Sequence, residues 1–273
     1  MPLPVALQLY TVRDDMAKDF AGTLKKVKEM GFDGVELAGF GNYSAVEARK
    51  ILDDSGLKAI SAHVPYDALA ENTEKTLSDY KTLGCNYIAI PWLDAKKAPG
   101  GEEFNTMIDS ILQIGKAAKA AGITLLYHNH EFEFKKVDGV YGLDMLYNSI
   151  PAEFLQTQID TCWVKVAKLD PAEYVRKYKG RAPLVHLKDF IMEGDVTGNL
   201  YELIGNDNED APISKKGFEF RPVGQGMQNF PAILEACVYA GTEWVIVEQD
   251  ESSTCPPMEA IKMGREYLKS LGW

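Results

Sequence analysis

The four histidines are the most informative residues of this 273-residue sequence, because each lies at or just beyond the end of a short apolar stretch that reads as a β-strand. His63 ends KAISAH and His186 lies in PLVHLKD, while His128 and His130 both lie in TLLYHNH. Carboxylates end other stretches of this kind, namely Glu36, Asp160 and Glu248. Imidazole and carboxylate groups bind divalent metals and act as acids and bases near neutral pH. The pattern predicts a site built from strand ends.

The elements that would carry these residues recur along the whole chain. Segments with helical periodicity end in Gly or Pro, and a short apolar strand follows within a few residues. The predicted strands are VALQLY, GVEL, KAISAH, YIAIP, TLLYHNH, FLQTQID, PLVHLKD and EWVIVEQD. The predicted helices are Asp19–Met30, Ala45–Ser55, Asp67–Leu83, Met107–Ala121, Tyr141–Ser149, Pro171–Tyr178, Phe230–Ala240 and Met258–Leu271.

This alternation predicts an α/β fold, a single (β/α)8 TIM barrel that spans residues 1–273. Eight strand–helix units give about 34 residues per unit, close to the size of a βα repeat. A doubly wound sheet is disfavoured, because no G-x-G-x-x-G follows the first strand and Gly224–Gln225–Gly226 is too isolated for a nucleotide loop. Residues 191–222 are too long for an ordinary connection. We expect an inserted loop after the seventh strand, either a surface insertion or a lid.

Composition limits the classes of binding partner and the cellular compartment that are expected for this chain. The net charge of −11 disfavours nucleic acid and acidic membrane surfaces. No apolar run reaches the roughly 18 residues of a membrane span, and the start MPLPVALQLYTVRDD lacks a signal-peptide pattern. Four scattered cysteines without a C-x-x-C pair indicate reduced thiols. The chain is therefore expected to be cytoplasmic and to act on a small molecule rather than on nucleic acid or a membrane. Barrels of this type often pair, so a homodimer is also considered.

In a TIM barrel the chemistry lies at the carboxyl ends of the strands. Strands five to eight would bring four side chains to one half of the barrel mouth, and these are the predicted metal ligands: His128, Asp160, His186 and Glu248. A nitrogen and oxygen set without thiolate suits a divalent transition metal better than Ca²⁺. Mn²⁺ is the expected ion, with Co²⁺, Zn²⁺, Fe²⁺ and Mg²⁺ as alternatives.

The remaining candidates are assigned to catalysis or to substrate contacts. The expected acid–base residues are Glu248, as ligand or proton carrier, His130 and Glu36. The expected substrate contacts are His63, Lys188, Gln8, Trp92 and Arg221, with Tyr10 as a weaker polar candidate at the rim. Structural roles stay open for several of them: an ion pair for Glu36 or Lys188, packing for Trp92, and a helix cap for Asp160.

The chain resembles the xylose isomerase-like (sugar phosphate isomerase/epimerase) barrel superfamily, which also contains the endonuclease IV-type enzymes. The matching stretches, in order, are LQLYTVRD, KEMGFDGVELAGF, ISAHVP, LYHNHEFEF, IDTCW, PLVHLKDF, PVGQGMQNFPAIL and VEQD. The resemblance implies that Asp160, His186 and Glu248 are metal ligands.

The fourth ligand of that family is typically a Glu, and its position here looks to be His128. His130 and Glu133 are the alternatives. Endonuclease-type members carry a zinc-ligating His three residues after the Asp of strand six, where this chain has Trp163. The resemblance therefore disfavours DNA repair.

We expect a metal-dependent isomerase or epimerase of a sugar or keto-polyol. It would remove a proton next to a carbonyl and pass through an enediolate held by the metal. A dehydratase or lyase that acts on an inosose or a 3-keto-sugar with the same site is the first alternative. A non-catalytic sugar-binding or scaffold barrel is the alternative from another class.

Overall fold

Short apolar strands alternate with amphipathic helices in a computed structural model, which describes residues 2–193 and 217–273. The strands of these residues are β1 (Val5–Gln8), β2 (Gly34–Leu37), β3 (Lys58–Ala62), β4 (Tyr87–Ile90), β5 (Thr124–His128), β6 (Lys136–Val137), β7 (Val140–Tyr141), β8 (Gln156–Asp160), β9 (Leu184–Leu187), β10 (Asp189–Met192), β11 (Phe218–Arg221) and β12 (Trp244–Val247). The helices are α1 (Arg13–Lys18), α2 (Phe20–Glu29), α3 (Ala45–Ser55), α4 (Tyr66–Glu71), α5 (Thr73–Leu83), α6 (Phe104–Ala120), α7 (Gly142–Ser149), α8 (Thr161–Val166), α9 (Pro171–Lys177), α10 (Phe230–Ala240) and α11 (Pro257–Ser270). Single 3₁₀ turns lie at Leu9–Val12 and Phe132–Phe134.

Eight of the described strands form a parallel ring, which confirms the predicted (β/α)8 TIM barrel. Their order is β3-β2-β1-β12-β9-β8-β5-β4. The ring closes between β3 and β4, where the Val64 N–H donates to the Ala89 carbonyl at 2.9 Å and the Asn86 N–H donates to the Ile60 carbonyl at 3.1 Å. The carboxyl ends of all eight strands therefore face one mouth.

Helix ends follow the glycine pattern of the sequence. Gly56, Gly84 and Gly241 end α3, α5 and α10 in the left-handed conformation, with φ between 70° and 95°. A side chain with a Cβ is strained there, whereas glycine is not. These stops fix where each following strand begins, and so they fix the register of the strand ends.

Two of the predicted helices differ from those observed. The segment predicted as one helix over Asp67–Leu83 is divided into α4 and α5 at Asn72, whose non-helical backbone breaks the helix and whose side chain accepts from the Lys75 N–H. An Asn that caps the next turn in this way ends a helix that periodicity alone would continue. The helix predicted from Met107 begins earlier, at Phe104.

The structure also contains short elements outside the ring that were not predicted from the sequence. They are α1, α8, the 3₁₀ turns and the hairpins β6–β7 and β10–β11. Of the predicted insertion 191–222, the antiparallel pair β10–β11 contains residues 191–192 and 218–221, while residues 194–216 lie outside the described residues. None of the described helices has the length and apolarity that a bilayer-spanning helix needs.

An apolar layer fills the ring below the mouth. Ala6, Leu126, Leu184 and Ile246 belong to this interior cluster, and all four are fully buried. Residues two positions further along a strand share its face. The next inward layer is therefore polar, and it consists of Gln8, His128, His186 and Glu248. A larger apolar core lies between the strands and the helices and holds this layer in place.

Candidate metal centre and active site

The four predicted metal ligands converge at the mouth of the ring. Potential ligand atoms of His128, Asp160, His186 and Glu248 all lie within 4.8 Å of one another, and all four side chains are buried. They come from the ends of β5, β8 and β9 and from the residue after β12. Two imidazoles and two carboxylates in this arrangement can hold a divalent metal ion.

His186 lies between two carboxylates. Its Nδ1 is 2.8 Å from Glu248 Oε2, and its Nε2 is 2.8 Å from Glu36 Oε1. Burial lowers the pKa of His186, but the charges of Glu36 and Glu248 outweigh burial and raise it to about 10. Without a metal, His186 is therefore an imidazolium that carries a proton on each nitrogen, and a metal ion would replace one of these protons.

Lys188 supplies the second positive charge of the site. Its ammonium lies 3.0 Å from Asp160 Oδ2, 2.9 Å from Glu248 Oε2 and 2.9 Å from Asp250 Oδ2. Burial lowers the pKa of Lys188, yet these carboxylates hold it well above its usual value. The same ammonium lies 5.3 Å from the centre of the Trp163 ring. Lys188 therefore compensates a cluster of buried carboxylates.

Asp160 has one oxygen in a helix cap and one in the cluster. Oδ1 accepts from the Cys162 N–H at 2.8 Å and caps α8, as the structural alternative predicted. Oδ2 is buried, and within the described residues it has no hydrogen-bond partner. A buried carboxylate oxygen that has an ion-pair contact but lacks a hydrogen bond fits a metal ligand. Capping and ligation are thus compatible in this side chain.

Gln158 connects the imidazoles to Glu36. Its Oε1 lies 2.7 Å from His63 Nε2 and 3.1 Å from His128 Nδ1. Its Nε2 lies 2.9 Å and 2.7 Å from the two oxygens of Glu36. Gln158 is not among the site residues predicted from the sequence, although its position two residues before Asp160 on β8 places it on the same inward face. The signal that could have identified it is an amide side chain on the inward face of a strand that also carries a predicted metal ligand.

The protonation of the site follows from burial and from these contacts. Burial, followed by the charges of His186 and His63, holds the pKa of His128 well below its usual value, so this imidazole is neutral. Burial would raise the pKa of Glu36, but His63 and His186 lower it, and the carboxylate is ionised. Burial likewise opposes ionisation of Glu248, and Lys188 and His186 hold its pKa well below the usual range.

His130 and Glu133 lie outside both groups of potential ligands found in the described residues, which are the four-residue cluster and the trio His63, His128 and His186. The His130 ring packs 5.5 Å from both Phe132 and Trp163, and the side chain is buried. The Glu133 carboxylate accepts from the His130 N–H at 2.8 Å and from the Tyr127 hydroxyl at 2.5 Å. Of the three residues considered for the fourth ligand position, His128 is the one placed in the cluster.

A cavity of about 520 Å³ opens above the cluster. Its lining combines aromatic rings with charged and imidazole groups: Tyr10, Ala38, Gly39, His63, Pro65, Tyr80, Pro91, Trp92, His128, His130, Lys188, Glu248 and Asp250. Asp250 was not predicted, and burial raises its pKa to about 7 in spite of Lys188. Concave sites with aromatic walls and a few convergent polar groups are typical of small-molecule binding.

Three of the predicted catalytic and substrate-contacting residues do not line this cavity. Glu36 is buried behind His63 and His186. Gln8 is fully buried, and its Oε1 accepts from the Tyr10 N–H at 3.0 Å. Arg221 pairs with Glu219 at 2.5 Å on β11. The other predicted residues of these two classes, which are His63, Trp92, His130, Lys188 and Glu248, line the cavity.

A loop beside Lys188 is fixed by one carboxylate. Asp189 Oδ2 accepts from the N–H groups of Gly224 and Gly226, and Oδ1 accepts from those of Phe190 and Gln228. The Gln228 side chain also donates to the Lys188 carbonyl at 3.3 Å. The segment PVGQGMQN is therefore tied to the strand end that carries Lys188.

Comparison with known proteins finds relatives with the same barrel fold and with different named reactions. Residues 24–271 match the family described as xylose isomerase-like TIM barrel. The chain is 24% identical to an inosose dehydratase of Clostridium botulinum, over 93% of this chain and 91% of the relative. A solved sugar phosphate isomerase/epimerase of Parabacteroides distasonis superposes with a TM-score of 0.77 at 24% identity, covering 98% of each chain. A solved IOLI protein with a bound zinc atom gives a TM-score of 0.69 at 14% identity, again over 98% of each chain.

The family match covers nearly the whole ring and all of the clustered side chains. It agrees with the observed strand order and with the site at the carboxyl ends of the strands. This chain belongs to the xylose isomerase-like TIM barrel family and is an enzyme.

Proposed function

We propose that this enzyme is a metal-dependent dehydratase of a cyclic keto-polyol, such as an inosose or a 3-keto-sugar. The observation that carries the proposal is the buried cluster of His128, Asp160, His186 and Glu248 at the floor of a cavity with aromatic walls. The similarity to inosose dehydratases over nearly the full length of both chains supports dehydration as the reaction.

The cluster would hold one divalent ion, for which we propose Mn²⁺ on the grounds of its nitrogen and oxygen donors. When bound, the ion would polarise a substrate carbonyl and so acidify the neighbouring C–H. Binding requires His186 to release a proton, and Lys188 remains as a counter-charge for the carboxylates.

The residues beside the cluster would move the protons. Burial and then Lys188 hold the pKa of His130 well below its usual value, so its imidazole is neutral and can accept the C–H proton. Asp250, whose pKa is about 7, can give a proton to the departing β-hydroxyl. The C–H proton thus passes to His130, the hydroxyl leaves with the proton of Asp250, and one water is released.

The walls of the cavity would hold the sugar ring and exclude water. Tyr10, Tyr80 and Trp92 offer apolar ring faces, while His63 can contact a hydroxyl. Sugars present apolar C–H faces and polar edges, and an aromatic wall beside polar groups suits both.

An isomerase or epimerase is the second candidate. His130 follows β5 and Asp250, whose pKa is about 7, follows β12, so two groups that can carry a proton reach the cavity from different strands. Return of the proton by the second group would change the configuration of the carbon without loss of water.

Turnover of inososes and keto-sugars in deuterated water, followed by NMR, tests the proposal. Enzyme stripped of metal and reloaded with Mn²⁺ should give a product that lacks one water. Deuterium uptake without loss of water would establish the epimerase instead.

We expect His130→Gln to lower kcat by about 10²- to 10⁴-fold, and the exposed Glu74→Gln to have no effect. Absence of turnover with every divalent metal would contradict both candidates.

A further inference from the structure

The fully buried amide of Gln158 can be oriented in only one way. Its two ends face different partners: the Glu36 carboxylate on one side, and ring nitrogens of His63 and His128 on the other. Both Glu36 oxygens lie within 2.9 Å of the same end of the amide, and this arrangement is satisfied when the NH₂ end faces Glu36 and donates to both. The carbonyl oxygen must then face both imidazoles.

This orientation decides which nitrogen of each histidine carries the proton. Gln158 Oε1 accepts, so His63 must donate from Nε2 and His128 must donate from Nδ1. If His128 were protonated at Nε2 instead, the lone pair of Nδ1 would face the lone pairs of the amide oxygen. Two acceptors at this distance repel each other. The lone pair of a neutral His128 therefore lies on Nε2.

The free nitrogen of His128 is the one on the side of the cluster. His128 Nε2 lies 3.7 Å from Asp160 Oδ2, the carboxylate oxygen without a hydrogen bond in the described residues. Imidazoles that bind metals commonly donate their other N–H to a carbonyl or carboxylate, which fixes the tautomer and the ring orientation.

We propose that Gln158 is a positioning residue that locks His128 in the Nδ1–H tautomer and so presents Nε2 to a divalent metal. Glu36 acts one step further out, because it fixes the direction of the Gln158 amide. The tautomer follows from the contacts alone, whereas its consequence for metal binding rests on the proposed function.

Nitrogen-15 NMR of the metal-free wild-type protein, labelled at histidine, tests the tautomers directly. The chain contains four histidines, so the ring signals can be assigned by single His→Gln substitutions. We expect His128 to carry its proton on Nδ1 and His63 on Nε2. A His128 ring protonated on Nε2 would overturn the inference.

Mn²⁺ titration by calorimetry tests the consequence. Gln158→Met removes the amide at similar size, and we expect its dissociation constant to rise about 10- to 100-fold. Gln156→Met makes the same change two residues earlier on β8, and it should bind as tightly as the wild type. Equal affinity of the two variants would overturn the positioning role.

A third variant distinguishes the loss of the hydrogen-bond acceptor at position 158 from a general effect of changing a buried side chain. Gln158→Glu keeps an oxygen acceptor for both imidazoles, so the wild-type tautomers should persist even if repulsion from Glu36 lowers stability. Loss of the tautomers in this variant would count against the inference. If the wild type has the expected tautomers but binds no divalent metal, the proposed function fails while the tautomer assignment holds.

Discussion

Lys188 is the residue on which the charge balance of the cavity floor depends. Its ammonium contacts three carboxylates, and it is 1% exposed. A divalent cation in the neighbouring cluster would meet two of the same carboxylates, those of Asp160 and Glu248. The lysine and a metal therefore stabilise overlapping groups, and the enzyme keeps part of this compensation when no metal is bound.

Lys188→Met should reveal this overlap. Removing one partner of a buried ion pair costs about 3–5 kcal/mol, because the remaining charges stay buried without compensation. We expect a loss of this size in the free energy of unfolding of the metal-free protein, and a larger gain on addition of Mn²⁺ than in the wild type. Urea unfolding with and without Mn²⁺ measures both.

The exposed Lys116→Met on α6 is the matched control. The interpretation is wrong if metal-free Lys188→Met unfolds at the same urea concentration as this control.

At the scale of elements, the turn after β5 positions His130. The 3₁₀ turn Phe132–Phe134 brings the Glu133 carboxylate under the His130 N–H and against the Tyr127 hydroxyl. Burial raises the pKa of Glu133 from an ordinary 4.5 to about 8, in spite of these hydrogen bonds. The turn thus contains a carboxyl group that is protonated at neutral pH.

A carboxyl with a raised pKa contributes stability that is fully present below about 4.5 and is lost as the pH rises through about 8. Glu133→Gln removes this dependence and keeps the shape of the side chain. We therefore expect the stability of the Gln variant relative to the wild type to increase between pH 5 and pH 8, by at most about 1.4 kcal/mol per pH unit. Urea unfolding at several pH values measures the difference.

Glu74→Gln on the exposed face of α5 controls for the loss of a charge. A relative stability of Glu133→Gln that does not change with pH would contradict the raised pKa.

At the scale of the whole molecule, the site joins strands that are distant in the chain. The four clustered residues run from His128 to Glu248, and they bring together one contiguous half of the ring, β5, β8, β9 and β12. A ligand bound to all of these strands in the folded state stabilises the whole barrel, because the unfolded chain does not form the site.

Mn²⁺ at about 100 times its dissociation constant should therefore raise the free energy of unfolding by about 2.7 kcal/mol. Asp160→Asn replaces a carboxylate of the cluster and should abolish this gain at the same Mn²⁺ concentration. Thermal or urea unfolding of both proteins measures it. A wild-type stability that does not respond to any divalent metal would count against the site.

Periodicity and glycine placement were sufficient to predict the ring and its convergent side chains. Each strand of the ring is four or five residues long, and the alternation of its faces leaves little choice about which residues point inward. His128, Asp160, His186 and Glu248 could be chosen for this reason. The division at Asn72 was missed because a cap and an apolar period coexist in that segment.

The sequence could not show which polar side chains contact one another through hydrogen bonds and ion pairs. Gln158 reads as an ordinary strand residue, and only the distances to Glu36, His63 and His128 reveal its place. Asp250 and Asp189 were likewise not singled out, because their partners lie on other strands and loops. Such contacts depend on tertiary geometry, which a local pattern does not encode.

The loop held by Asp189 has a consequence for engineering the surface beside the strand end that carries Lys188. Its shape depends on backbone N–H groups, which every residue except proline supplies. Gly226 must stay, because a Cβ there would lie 2.3 Å from the Asp189 carboxylate. Gln225 and Met227 are exposed and contribute no side chain to the anchor. Because neither side chain lines the cavity, a combinatorial library at these two positions would vary the exposed surface of the loop while the Asp189 anchor keeps its geometry.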